Sequence, residues 1–229
     1  MNVIYWAGDS TVQTNSFLTY PQTGIGQEMG RYLKRNIRIE NHARNGRSTK
    51  SFLDEGRFDV IADRISAGDF LFIQFGHNDE KKEDPERYTD PDTTYKENLK
   101  FMADAAFKKG AFPVLITPLE RRKFTEGKLT TNAHEPYVKA MKELAGKEGI
   151  PLVDLNAMSR EALEKAGPEE SLEWYMHIPA GKYPAYPEGK EDDTHLQGAG
   201  AYFYAGLVAE GLKALGCRYA GLLTEDDDF

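Results

Sequence analysis

The chain has 229 residues, with 29 Lys and Arg against 37 Asp and Glu, a formal net charge of −8. Hydrophobic residues make up 40% and aromatics 11%; the mean hydropathy is −0.61 and the pI near 5.3. This composition excludes wholesale disorder and contains no apolar run of the ~18–20 residues that span a bilayer. The acidic balance argues against a nucleic-acid partner, which would require a basic face. A length below roughly 250–300 residues predicts one domain over 1–229. The single cysteine, Cys217, allows neither an intrachain disulfide nor a thiolate zinc site, and reads as a small core residue. The opening residues Met1-Asn2-Val3-Ile4-Tyr5-Trp6 carry no basic and apolar leader pattern, so a cytoplasmic location is expected.

In chain order, residues 3–7 form a short apolar run ending in Gly8-Asp9-Ser10, a strand leaving into a turn. Residues 37–40 alternate as a second strand. Residues 70–75 are nearly all apolar and stop at Gly76, as a strand buried on both faces does. Residues 113–117 and 151–154 read as two more strands. Helical stripes lie between them: Phe58, Ile61, Ala62, Ile65; then Tyr95, Leu99, Met102, Ala106; then Val138, Met141, Leu144, Ala145. Near the end Ala199, Phe203, Leu207, Gly211 and Leu215 recur every four residues. The alternation predicts an α/β fold: a three-layer, doubly wound, flavodoxin-like parallel sheet of five strands in the order 2-1-3-4-5. Two stretches break the rhythm. Residues 80–93 read as a charged, solvated loop, and residues 167–191 as a long loop rich in Pro and aromatics, a length that favours function. The acidic stretch 225–228 reads as a solvated end.

Open parallel sheets bind ligands beyond the carboxyl ends of their strands. After the first strand stand Gly8, Asp9, Ser10 and Thr11; after the second, Asn41, Asn45, Gly46, Arg47 and Ser48; after the third, Gly76, His77, Asn78 and Asp79. Asp192-Asp193-Thr194-His195 precedes the last helix. Singly, Ser10 reads as a helix cap, His195 as a capping or surface residue, and Asn78 as a loop tie. Together they supply a nucleophile, a base, an acid to orient the base, and oxyanion donors. Asp192 stands three residues before His195 and can fold back on its ring within one turn of chain. Asp193, two before, points away and is the lesser candidate for the orienting acid.

Gly8-Asp9-Ser10, Gly46, Gly76-His77-Asn78-Asp79 and Asp192-Asp193-Thr194-His195 resemble, in order, the four blocks of the SGNH (GDSL-type) hydrolases, over nearly the whole chain. The resemblance implies Ser10 as nucleophile, His195 as general base and Asp192 as its partner. It implies an oxyanion hole from the Ser10 and Gly46 N–H groups and the Asn78 amide, with no metal and no cofactor. Gly8-Asp9-Ser10-Thr11-Val12, the run of residues 41–52 and Asp192-x-Thr194-His195 are most similar to the rhamnogalacturonan acetylesterases, which deacetylate the pectin backbone. The implied substrate is an acetylated oligosaccharide, imported if the enzyme is cytoplasmic. Galacturonate is anionic, so a chain of charge −8 must offset its own field locally. Arg44, Arg47, Lys50 or the Arg121-Arg122-Lys123 cluster is expected to do so, and Trp174, Tyr183 and Tyr186 to stack on sugar rings.

Other readings fit less. A metal site from His77, Asp79, Asp192 and His195 leaves Gly8-Asp9-Ser10 unexplained. Gly24 to Gly30 has the wrong spacing for a dinucleotide loop and no strand directly before it. A carbohydrate-binding homologue without catalysis would not need the full set of Ser, His, Asp, Asn and Gly. Within the hydrolases, an esterase, lipase or thioesterase acting on acetylated xylan or a lipid remains the competitor; a lipid would call for a long apolar groove.

Overall fold

The computed structural model describes residues 2–130 and 134–224; the 225–228 stretch lies outside them. The strands are β1 (Val3–Gly8), β2 (Arg38–Asn41), β3 (Phe70–Gln74), β4 (Phe112–Ile116), β5 (Phe124–Thr125), β6 (Lys128–Leu129) and β7 (Leu152–Val153). The helices are α1 (Ile25–Glu28), α2 (Thr49–Asp54), α3 (Arg57–Arg64), α4 (Thr94–Lys108), α5 (Glu135–Glu148), α6 (Leu155–Glu170), α7 (Gly198–Leu215) and α8 (Cys217–Ala220). Five strands pair in parallel in the order β2-β1-β3-β4-β7. This is the expected doubly wound order, with β7 as the fifth strand. β5 and β6 make a separate small hairpin in the loop after β4.

Successive residues of a strand face opposite sides, and here each side has its own core. Ile4, Trp6, Phe70, Phe72, Val114 and Ile116 pack with Tyr204, Ala205, Val208 and Leu212 of α7. Tyr5, Ala7, Leu71, Ile73 and Leu115 pack with Phe58 and Ile61 of α3, Leu99 and Met102 of α4, and Met141 and Leu144 of α5. All five residues of β3 are buried, because helices cover both of its faces.

Several local expectations are corrected. On α5 it is Tyr137, not Val138, that is buried, and its hydroxyl donates to the carbonyls of Asp79 and Thr89. On α7 the buried line is Gly200, Ala201, Tyr204, Ala205, Val208 and Leu212, displaced from the expected Ala199, Phe203, Leu207 and Leu215. A strict four-residue repeat overshoots each turn by about 40° and spirals around the helix, so it cannot keep one face to the sheet. Residues 167–174 are not loop: α6 continues to Glu170 across a kink at Gly167 (φ 71°, ψ −177°), and Ser171–Trp174 forms a 3₁₀ turn. Cys217 is exposed rather than core, since it opens α8 just past the Gly216 turn. No helix among the described residues is long and apolar enough to cross a membrane.

Candidate active site

The carboxyl ends of β1, β2 and β3 bring three loops to one edge of the sheet. After β1, the Asp9 side chain turns inward and its Oδ1 accepts the N–H (2.9 Å) and hydroxyl (2.8 Å) of Thr11. The Asp9 carbonyl accepts the N–H groups of Val12 and Gln13. This local turn presents Ser10. Burial pushes the Asp9 carboxyl above its ordinary pKa, against the two Thr11 donors.

The loop after β2 is sewn to the first: Arg44 N–H donates to Gly8 O (2.9 Å) and Asn45 N–H to Gln13 Oε1 (2.5 Å). Gly46 follows at φ +74°, where a side chain would be strained. Ser48 then caps α2 reciprocally with Ser51. The loop after β3 starts at Gly76, where a Cβ would come within 2.7 Å of Pro118. Asn78 Nδ2 donates to Arg47 O (3.1 Å). The Asp79 carboxylate accepts Thr49 N–H (3.0 Å), Thr49 Oγ (2.6 Å) and Thr89 Oγ (2.9 Å), tying the second loop, the third loop and the 80–93 segment together. Burial pushes Asp79 up to about 7, against those donors.

From the opposite end of the chain, the segment before α7 supplies the remaining groups. His195 Nε2 lies 2.9 Å from Ser10 Oγ, and His195 Nδ1 lies 2.8 Å from Asp192 Oδ2. Asp192 Oδ1 accepts the N–H groups of Thr194 and His195, each at 2.9 Å. Burial alone would raise the Asp192 carboxyl; the His195 hydrogen bond, the His195 charge and the two backbone donors outweigh it and hold the group well below the carboxylate range. Neither the Ser10 nor the Gly46 N–H has an acceptor among the described residues, and Asn78 Nδ2 spends one of its two hydrogens. An imidazole held by a carboxylate on one nitrogen and a hydroxyl on the other is built to take that hydroxyl's proton.

The other predicted residues are distributed differently. Asp193 turns away from His195: its Oδ1 is 2.9 Å from Arg122 Nη1 and 2.7 Å from His177 Nε2, and its carbonyl accepts Arg122 N–H. The Arg47 guanidinium is held by Glu55 and the Asn45 carbonyl. Trp174 stacks on Phe203 (4.4 Å, 16°) and lines a surface groove with Met158 and Leu207. It is occupied as packing on the flank of α7, not aimed at Ser10. The Tyr186 hydroxyl donates to Thr19 O (3.3 Å), and its ring lies under Lys190, whose Nζ is 5.4 Å from the ring centroid. Lys190 Nζ is also 3.1 Å from Asp192 Oδ2. The four residues of the metal reading do not converge: the His77 ring packs on His134 at 4.2 Å, Asp79 is spent on threonines, and Asp192 and His195 hold each other. Lys190 and His177 went unmarked as site neighbours, and Arg122, expected at the substrate, instead holds Asp193, because a single charged residue gives no pattern that announces its partner.

Residues 7–201 match the model of the GDSL-like lipase/acylhydrolase family. The rhamnogalacturonan acetylesterase RhgT of Bacillus subtilis (strain 168) is 41% identical over 213 residues, 93% of this chain and 90% of the relative. The probable rhamnogalacturonan acetylesterase YesY of the same organism is 43% identical over 215 residues, 94% of each chain. A crystal structure of the Bacillus subtilis protein YxiM superposes with a TM-score of 0.77 at 29% identity, over 94% of this chain and 57% of that one. The acetylxylan esterase Axe2 of Geobacillus stearothermophilus gives 0.66 at 18% identity, over 92% and 93%, a likeness of fold.

Proposed function

This chain belongs to the GDSL-like lipase/acylhydrolase family, and from that premise we propose that it is a serine esterase that removes acetyl groups from a carbohydrate, specifically from acetylated rhamnogalacturonan fragments. The observation that carries the chemistry is the unbroken chain Asp192–His195–Ser10, with links of 2.8 and 2.9 Å. The substrate rests on the two Bacillus relatives named for that activity, each aligned over nine-tenths of its length or more. The family match ends at residue 201, but α8 packs its Tyr219 into the same core as β1 and α7, so 1–229 is read as one catalytic domain.

In this reading neutral His195 takes the Ser10 proton as the hydroxyl oxygen attacks the acetyl carbonyl. The oxyanion is received by the Ser10 and Gly46 N–H groups and the free Asn78 hydrogen. His195 then gives its proton to the departing sugar oxygen as the ester bond breaks, leaving acetyl on Ser10. Water repeats the sequence, releasing acetate and restoring the hydroxyl. Asp192 keeps the ring oriented and its Nδ1 protonated.

The test is acetate release from acetylated rhamnogalacturonan, acetylated xylan and a long-chain lipid ester, side by side. Preference for the first is expected. Preference for the lipid ester refutes the substrate reading. Ser10→Ala should abolish release from every ester, and a folded variant with wild-type turnover refutes the nucleophile.

A further inference from the structure

Binding a uronate to a chain of net charge −8 needs a cation with donors still open to a carboxylate. Several cations near the loops are already turned toward acidic side chains. Arg47 is paired with Glu55, Lys50 with Asp54, Arg121 with Glu80, Arg122 with Asp193 and Lys190 with Asp192. Arg87, in the 80–93 segment that the sequence marks only as solvated loop, is placed differently. Its Nε edge faces Asp84, with Oδ2 at 3.0 Å. Its two terminal nitrogens have no acceptor among the described residues.

Those nitrogens lie over the Gly46 turn. Arg87 Nη1, Cζ and Nη2 are 3.7, 3.8 and 3.9 Å from the point a Cβ would occupy on Gly46. Such even distances mean that the guanidinium lays its flat face on the glycine. A Cβ stands about 2.5 Å from its own amide nitrogen, so the guanidinium carbon is within about 6 Å of the Gly46 N–H. A carbonyl oxygen received by that N–H would sit about 2.9 Å from it, so the reacting oxygen and the guanidinium carbon would lie within about 9 Å of each other. The loop that carries Arg87 is also fixed. Two residues on, the buried Thr89 donates its N–H and hydroxyl to Asp79, and its carbonyl accepts from Tyr137. Asp84 adds a second tether through Nε and, by its backbone carbonyl, through Arg87 N–H. A planar guanidinium with its Nη1/Nη2 edge open, held beside a neutral donor site, is suited to paired hydrogen bonding with a carboxylate.

We propose that Arg87 binds the carboxylate of a uronate residue in the substrate, at the sugar that carries the acetyl group or its immediate neighbour, and so makes the site select acidic over neutral acetylated saccharides. The proposal rests on the esterase reading above and deepens it.

The experiment compares two forms of one acetylated rhamnogalacturonan oligosaccharide: the free acid, and the same preparation with its galacturonate carboxyls converted to neutral methyl esters. Acetate is measured specifically, for the wild type, Arg87→Gln and Arg87→Lys. The wild type is expected to favour the free acid in kcat/KM by roughly ten- to hundredfold, the worth of a charge-assisted pair. In Arg87→Gln that preference should vanish, mainly through KM. In Arg87→Lys, which keeps the charge and loses the paired donors, it should be intermediate. The Arg87–Asp84 pair is about a third exposed on each side, so folding is not expected to depend on it, and a thermal melt of both variants checks this. A wild type that releases no acetate from either form overturns the substrate reading and the proposal with it. Acetate release without preference in the wild type, or a preference retained in both variants, overturns the role of Arg87 alone.

Discussion

Arg122→Met tests whether the segment bearing Asp192 and His195 is held in place from outside. Arg122 is 8% exposed. Its Nε donates to Ser171 Oγ (3.0 Å), its Nη2 to Pro168 O and its Nη1 to Asp193 Oδ1 (2.9 Å), and the guanidinium lies over the Phe124 ring at 5.5 Å. One side chain thus joins the end of α6, the loop after β4 and the residue next to Asp192. Methionine keeps the apolar stem and removes every side-chain donor. Three hydrogen bonds from a charged group would be worth about 1.5–3 kcal/mol each taken singly. The sum must be discounted, because removing the guanidinium also relieves its burial. Asp193 is a third exposed and keeps His177. A net loss of about 3 kcal/mol is expected, or a Tm lower by roughly 6–12 °C in a chain of this size. The backbone bond from residue 122 to Asp193 O survives, so the segment should loosen rather than leave. Even a small misplacement of an orienting group is costly, and kcat on an aryl acetate, measured far below Tm, should fall roughly tenfold with KM little changed. Urea unfolding of Arg122→Met, Asp193→Asn and the double variant closes the cycle, with a coupling of about 0.5–3 kcal/mol expected for groups in contact. A Tm within 2 °C of wild type (roughly 1 kcal/mol or less), or additive losses, would refute the reasoning.

Asn78→Ala should lower kcat by roughly 10²–10³ with little change in KM if its second amide hydrogen receives the oxyanion; an unchanged kcat removes it from that role. Asp192→Asn keeps an acceptor for the Thr194 and His195 N–H groups but sets an amide against His195 Nδ1, so kcat should fall by roughly 10³–10⁴ in a folded protein; a loss under tenfold would show that Asp192 does not orient the ring. Asp79 yields a pH signature. Its folded pKa, about 7, lies above the unfolded value near 3.9. Its contribution to stability is therefore complete below about pH 4 and lost as the pH rises through 7, on the order of 4 kcal/mol in all. Asp79→Asn, still able to accept from Thr49 and Thr89, should flatten that part of the stability-versus-pH curve, and an unchanged slope between pH 4 and 8 would show that the group is ionised throughout.

What the sequence made legible was whatever is encoded locally. The strand order follows from apolar runs alternating with helical stripes, and a run such as Phe70–Gln74, buried on both sides, has no other place in a small fold. The Asp192–His195 pair was legible because a three-residue return is a property of the chain itself, and Ser10 because its turn is closed by its neighbours Asp9 and Thr11. The partners of Asp193 stand 71 and 16 residues away, and the perch of Arg87 on Gly46 spans 41 positions. No local pattern reports such contacts. Trp174 misled for the opposite reason: an aromatic in a Pro-rich stretch has the composition of a binding loop, but its partner is Phe203 on α7, one residue before Tyr204 of the buried face that the four-residue repeat had misplaced.

The neighbouring aspartates show how one short segment meets two opposed demands. A triad acid must be ionised, must not move, and must offer one oxygen to the imidazole. Asp192 achieves this by giving Oδ1 to two backbone donors of its own turn, which fixes the carboxylate and leaves Oδ2 for His195, with Lys190 beside it. The Thr194 and His195 N–H groups are consumed inside that turn, so its hold on the body of the protein comes through carbonyls, Asp193 O from Arg122 N–H and His195 O from Met176 N–H. The Asp193 side chain adds to that anchor. The two neighbouring side chains leave the turn in different directions, so the residue that does not reach His195 is the one that reaches Arg122 and His177. Exchanging the two tasks between the two positions would require the backbone to turn over, and for that reason Asp193 should not rescue Asp192→Asn, although it carries the same carboxylate one residue nearer to the ring in sequence.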